Sequence, residues 1–383
     1  MLTRNHKPAA PAAEADPEVE CAAAAARSSP WRLVWRKFRK HKLAVAGAVV
    51  VLLAYIVVVF AEFLAPTSTS TSDSTLTYAP PQMVKVDLSW SDGLQMYVNG
   101  YRTERDPETF EQIHTLDPEL RVPLRFLPRG DSYEMWGIIP WDRHLFGAAH
   151  AKDKVFLLGS DRQGRDLLSL IIQGSRVSLS IGLIGVAVSF LLGLLFGGVS
   201  GYYGGAPDTL IQRVIEFLMA IPTLPLWLSL SAAVPADWGP MMRYFAITTI
   251  LSVLGWTGLA RVVRGRFLSL REEDFVTAAR LDGCGRIRII FRHMVPSMSS
   301  HVIASLTMAV PAMILGETAM SFLGLGLQSP AVSWGVLLQE AQNVRTLETA
   351  PWLLIPGVAV FVTVLAMNFV GDGLRDSADP YKQ

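Results

Sequence analysis

The sequence predicts an all-α polytopic membrane protein of six transmembrane helices, with a small β-containing extracytoplasmic insert after the first span. Three observations carry this. Of 383 residues, 51% are hydrophobic and 17% charged, too apolar for an ordinary soluble domain. Apolar runs of about 20 residues, each long enough to cross a bilayer, recur along the chain. Basic segments at Arg36–Lys42 and Arg261–Arg271 then orient those runs, because positive loops stay on the cytoplasmic side.

The formal net charge is +1, and no basic cluster tracks a phosphate backbone, so nucleic acid is not an expected partner. Cys21 follows no apolar run and does not resemble a lipoprotein cleavage site. Neither Cys21 nor Cys284 lies in the large insert, which must hold together without disulfides.

Taken in order, residues 1–30 are Ala- and Pro-rich without an apolar period, and read as a disordered cytoplasmic tail. Residues 31–42 (WRLVWRKFRKHK) are a basic interfacial segment, equally well an amphipathic helix or the positive flank of the first span. Residues 43–64 form that span. Their apolar run is longer than the roughly 7–15 residues of a signal peptide, so an uncleaved anchor is expected. Residues 65–173 form the extracytoplasmic insert and a pre-gate segment. Pro66–Thr77 is a Ser/Thr-rich linker; Met83–Trp90 alternates apolar and polar residues, Ser91-Asp92-Gly93 signals a turn, and Leu94, Met96 and Val98 resume the alternation. That pattern predicts a β-hairpin. Val122, Leu124 and Phe126 predict a further strand, placed at a sheet edge by Pro123.

Residues 174–371 read as a five-helix membrane core. Val177–Ser200 carries Gly185, Ser189, Gly193 and Gly197, then Gly201, at i+4 spacing, a smooth stripe suited to close helix packing. Gly201–Arg213 is expected to turn back, and Ile211–Val234 to be a span kinked by Pro222 and Pro225. Met241–Val263, Ser297–Phe322 and Trp352–Val370 complete the set, and residues 372–383 return to the cytoplasm as a tail. No Gly-x-x-x-x-Gly-Lys-Ser/Thr loop, no metal-spaced His/Cys cluster and no Gly-x-Ser-x-Gly elbow occurs, so no catalytic or metal residue is assigned.

The cytoplasmic loop 264–296 between the fourth and fifth spans is organised rather than loose. Phe275, Ala278, Ala279 and Asp282 fall at helical spacing, and Gly283 and Gly285 stop that helix. Arg286–His293 predicts a second run, basic on one side, with Ile287, Ile290, Phe291 and Met294 on the other, ended by Pro296. The pair Ala278-Ala279 leaves little side-chain bulk, and Ala279 is expected on the docking side with Phe275, where another protein's groove could close on the backbone.

Thr277-Ala278-Ala279, then Gly283, then Met294-Val295-Pro296 resembles the EAA coupling loop of binding-protein-dependent ABC importer permeases. Leu158–Asp166 (LGSDRQGRD), Ser321–Gly326, Ser333-Trp334-Gly335, Ala350-Pro351-Trp352 and Gly371–Asp376 resemble, in order, the C-type second permease subunit of the dipeptide/oligopeptide class. The resemblance takes in the N-terminal basic segment and nearly everything from Phe156 onward. Thr67–Val155 is poorly covered, although Arg125–Gly147 weakly resembles inserts associated with α-galactoside uptake. Thr277 stands where the general motif has Glu.

This resemblance implies a type I ABC importer fold in a bacterial inner membrane, with both termini cytoplasmic and no cofactor of its own. ATP would be used by partner subunits: two ABC ATPase subunits or domains engaging Phe275, Thr277, Ala278, Ala279, Asp282, Gly283 and Pro296. It further implies a second homologous permease subunit, an extracytoplasmic solute-binding protein, and alternating-access import of small peptides. Oligosaccharides or opines are the alternative cargo. An ion-coupled secondary transporter is the rival class, but only Glu317 would qualify as its mid-membrane ionisable group. Glu317 lines a translocation path or makes an interhelical hydrogen bond. Asp161, Arg162, Arg165 and Asp166 order a gate or a binding-protein seat, or simply pair with one another.

Overall fold

The computed structural model describes residues 30–89, 93–105, 107, 112–150, 152–235 and 237–378. The expected tail before residue 30, the Ser91-Asp92 part of the hairpin turn and the last five residues lie outside these.

The basic segment is a helix, α1 (Pro30–Lys40), whose Phe38 is buried beside Gly373 near the end of the chain. His41 then caps α2 (Lys42–Val59), the first span, by accepting from Ala44 N at 3.3 Å. Only Ala44 and Gly47 of α2 are buried, so most of its apolar surface faces outward. A one-turn helix, α3 (Ala61–Leu64), leads into the insert.

The insert is more extensively stranded than its sequence pattern suggests. Strands β1 (Lys85–Ser89), β2 (Gly93–Arg105), β3 (Gln112–Phe126) and β6 (Phe146–Ala148) form an antiparallel sheet in the order β1-β2-β3-β6; β4 (Arg129–Met135) and β5 (Ile139–Arg143) form a separate hairpin. The β1–β2 pairing is as expected. Pro123, however, lies in an interior strand, opposite Tyr97 of β2. It is tolerated because its missing N–H faces the β6 side, where the ladder begins only at Leu124, and its carbonyl accepts from Ala149 N at 2.8 Å. Val98, Leu124 and Val155 make a small core, and Gln82 clips strand to linker, donating to Asn99 O and accepting from Phe156 N.

Helix α4 (Leu167–Tyr203) is 37 residues long, about 55 Å at the α-helical rise, and is capped by Asp166. It packs along α7 (Pro240–Leu270) through the small-residue stripe. A Cβ on Gly197 would stand 2.4 Å from Ala260 O, and one on Gly193 would stand 2.8 Å from Leu259 Cβ. The turn after α4 is shorter than expected: Gly204 and Gly205, at φ +66° and +59°, suffice, and α5 (Gly205–Ala220) begins at once. The expected kinked span is a break. α5 and α6 (Thr223–Ala232) meet at 86°, because the residue before Pro222 is forced extended (Ile221 ψ 129°) and Pro222 follows it (ψ 124°).

Helix α11 (Ser299–Phe322) and α14 (Ile355–Ala378) complete the membrane set, so among the described residues there are five long apolar helices, six if the bent pair counts as one span. Between them lie α12 (Trp334–Gln339) and α13 (Val344–Thr349). α14 runs on to Ala378 with Ser377 buried, so residues 372–378 continue the helix instead of forming a tail. Leu179, Ile247, Leu251, Ile314, Trp334 and Val360 are among the side chains of the shared core.

Candidate functional site

Between α7 and α11 the chain forms α8 (Asp274–Leu281), α9 (Arg286–Ile289), a π-helical turn (Ile290–Met294) and α10 (Val295–Ser297). The exit from α8 is closed by two backbone bonds, Cys284 N to Ala279 O at 3.0 Å and Gly283 N to Arg280 O at 3.1 Å. This is the 6→1, 5→2 pattern that needs a left-handed residue after the cap, and Gly283 supplies it at φ +75°. Pro296 does not end the second run. It lies in the short α10 that follows the π-helical turn without a break, and the helix stops at Met298.

The inward side of this element is welded to its own chain. Val276, Ala279, Ile289, Met294 and Met298 pack with Tyr202 of α4 and Val263 and Phe267 of α7. Arg280 and Arg286 lie over the rings of Tyr202 and Tyr203, each at 5.6 Å. Ala279 is therefore 6% exposed and faces the chain itself, not a docking side shared with Phe275. Helical spacing allowed both, and the inward-packed Val276 decides it. The exposed surface carries Phe275, Thr277, Ala278, Asp282 and Gly283. Leu281 and Ile287, at 84% and 73% exposure, and Phe291 join them. The second run thus splits its apolar residues, with Met294 inward and Ile287 and Phe291 outward. Beneath it, Arg264 donates to both carboxylate oxygens of Asp208 (2.6 and 2.7 Å), fixing α7 to α5. No sequence spacing signalled that pair.

At the opposite end of the molecule, Asp161 is buried and accepts from the backbone of Gln163 (2.9 Å) and Arg165 (2.8 Å) and from Arg165 Nε (2.7 Å). Asp166 caps α4, accepting from Ser169 N at 2.9 Å and Ser169 Oγ at 2.6 Å. Burial pushes its carboxyl up to about 6. Asp161 and Arg165 thus pair and order the loop, whereas Asp166 is joined to Ser169 and to neither arginine. Arg162 alone projects, and pairs with Glu340, which spacing could not reveal, at 3.4 Å. Burial, then the charge of Asp161, holds the Glu340 carboxyl above the usual range. Arg162, Arg165 and Glu340 line a cleft of ≈ 550 Å³ with Tyr78 and Thr346.

Glu317 is wholly buried and is not joined to the Asp161 group. It accepts from Ser333 Oγ at 2.7 Å, Ser321 Oγ at 2.8 Å and Ser178 Oγ at 3.3 Å, tying α11 to α4 and to the start of α12. Ser178 also accepts from Trp334 N.

Residues 189–381 match the profile of the family described as "Binding-protein-dependent transport system inner membrane component", and residues 29–81 match that of the "N-terminal TM domain of oligopeptide transport permease C". Over 240 residues the chain is 38% identical to an oligopeptide transport system permease protein of Haemophilus influenzae, covering 62% of this chain and 75% of that one. A dipeptide transport system permease protein of Bacillus subtilis is 37% identical over 224 residues, covering 58% and 68% respectively. One of Alkalihalophilus pseudofirmus is 29% identical over 353 residues, covering 92% and 90%, and therefore spans the insert region. A solved chain of the MetNI methionine ABC transporter, inward facing, aligns at 14% identity and TM-score 0.42 over 56% of this chain and 98% of its own. That likeness is too distant to add to the assignment.

Proposed function

The chain belongs to the family of binding-protein-dependent transport system inner membrane components, and we propose that it imports small peptides as one of two permease subunits driven by partner ATPases. Its membrane helices and transport-component character follow from that membership. The peptide cargo rests on the names of the relatives that match it. Oligosaccharides and opines have no comparable support.

The observation that carries the coupling role is the two-sidedness of the α8 element. Its inner face is packed onto α4 and α7, so a push on it moves two membrane helices. Its outer face presents Phe275, Ala278 and Leu281 to a partner. Closure of ATPases gripping such elements would tip the spans between inward- and outward-facing states by rigid-body rocking. On the other side, the Arg162–Glu340 cleft is the proposed seat for a solute-binding protein. Both termini are then cytoplasmic.

The test is reconstitution. Proteoliposomes holding this chain, a second permease subunit and the ATPases should accumulate a labelled di- or oligopeptide only with ATP and the cognate binding protein. Uptake that survives without ATPases but collapses with the proton gradient would support a secondary transporter instead.

A further inference from the structure

The β4–β5 hairpin of the insert ends in an apolar tip. Trp136, Ile138, Ile139 and Trp141 are 49%, 79%, 42% and 47% exposed. Its charges gather at the root, where Arg129 pairs with Asp142 at 3.6 Å and lies opposite Arg143, and Asp131 falls in the irregular stretch between Arg129 and Tyr133. Glu134 alone lies one pair above the tip, opposite Pro140.

Two sets of bonds fix how deep that tip sits. Trp136 Nε1 donates to Val59 O, the last residue of the first span, at 2.7 Å. At the same level Arg176 donates to Val58 O at 3.1 Å and to Glu62, just before the long apolar run that begins at Val177. An Arg–Glu pair beside the end of one apolar helix, and at the point in α4 where its long uncharged run begins, marks the boundary between hydrocarbon and headgroups. The outward band of α2, through Leu53, Ile56, Val59 and Phe60, runs directly onto the hairpin, with Phe60 and Trp136 ring centroids 6.4 Å apart. The turn is shaped for this. Trp136 and Gly137 both have positive φ, +55° and +69°, a region a bulky side chain rarely enters. Here it aims the indole back at the span.

We propose that residues 136–141 form an interfacial membrane anchor, seated at the headgroup–acyl boundary of the bilayer beside the first span. Trp rings with one polar edge suit that layer, and Ile138 gains by leaving water. The root charges, two arginines and two aspartates, are balanced, so the anchor recognises the layer itself and not anionic headgroups. It holds the insert to α2, so that the insert travels with that span whenever the span moves.

The test uses the assembled importer in phosphatidylcholine vesicles, with Cys21 and Cys284 replaced by alanine. Nitroxide labels are placed at Ile138→Cys, at Leu53→Cys on the span and at Glu119→Cys on β3. The anchor predicts that oxygen reaches position 138 more freely than 119 but less freely than 53, while a water-soluble nickel chelate reaches it severalfold less than 119. Adding phosphatidylglycerol should change neither value. Nickel access equal to that at 119 would put the tip in water, and poor access for both reagents would put it under a protein subunit; either overturns the proposal. A label-free reading guards against a disturbed hairpin. Lipids brominated near the glycerol end should quench more of the fluorescence of the wild type than of a Trp136→Phe/Trp141→Phe variant, and equal quenching also overturns it.

Discussion

Glu317 shows how a single residue divides structure from transport. Three serine hydroxyls on α4, α11 and the start of α12 converge on its carboxylate. Glu317→Ala would strand them, at about 1–3 kcal/mol for each buried group left without a partner. Its complex should melt at lower temperature and reach the membrane in smaller amounts. Glu317→Gln keeps an acceptor oxygen and should retain both stability and uptake. A stable Gln variant with no uptake would instead place Glu317 on the solute path. Asp166 makes a pH prediction. Its carboxyl is raised from 3.8 to about 6, so the folded state holds a proton that the unfolded state releases. The stability it contributes is present below the unfolded value and lost as pH rises through about 6. Hydrogen exchange at Leu168 and Ser169, corrected for intrinsic rate, should therefore be better protected below about pH 5 than above about pH 7. Asp166→Asn, which cannot ionise, should flatten that difference; neighbouring Asp161 and Tyr101 remain in both proteins.

At the scale of elements, what was legible in the sequence was what local spacing dictates. The stripe from Gly185 to Gly201 forecast a close helix contact, and α4 and α7 make it. Gly197→Leu should force the two backbones apart, costing about 1–3 kcal/mol or more for overpacking against a carbonyl that cannot move. Yield and melting temperature of the purified complex read this directly, and an unchanged melt would mean the helices are not so closely packed. The β1–β2 hairpin and the stop at Gly283 were equally readable, since turn chemistry is local. The orientation of Ala279 was not. Spacing put it beside Phe275, and only the packing of Val276, Met294 and Phe267 turns it inward. Pro123 misled because the side of a strand on which an N–H is missing depends on a partner strand over 20 residues away. The break at Pro222 was foreseen as a kink, but an 86° bend requires two successive extended residues, which proline statistics leave open.

For the whole molecule, two elements stand apart along α4: the clasp around Asp161 near its start, and the α8 element, with one welded and one open face, near its end. In the proposed function, the α8 element passes force from an ATPase to α4 and α7. Ala279→Trp cannot test this, because a ring at that buried position would break the chain's own packing. Ala278 is exposed, next to it in sequence and clear of the inner core, so Ala278→Trp leaves folding intact while filling the space a partner's groove must occupy. The decisive measurement is substrate-stimulated ATP hydrolysis by the reconstituted importer, with insertion and melting of the permease checked in parallel. If α8 couples the ATPases to the spans, Ala278→Trp inserts and melts like the wild type but loses the stimulation, along with uptake. Stimulated hydrolysis and uptake at wild-type levels in that variant would contradict it, and α8 would not be the coupling element.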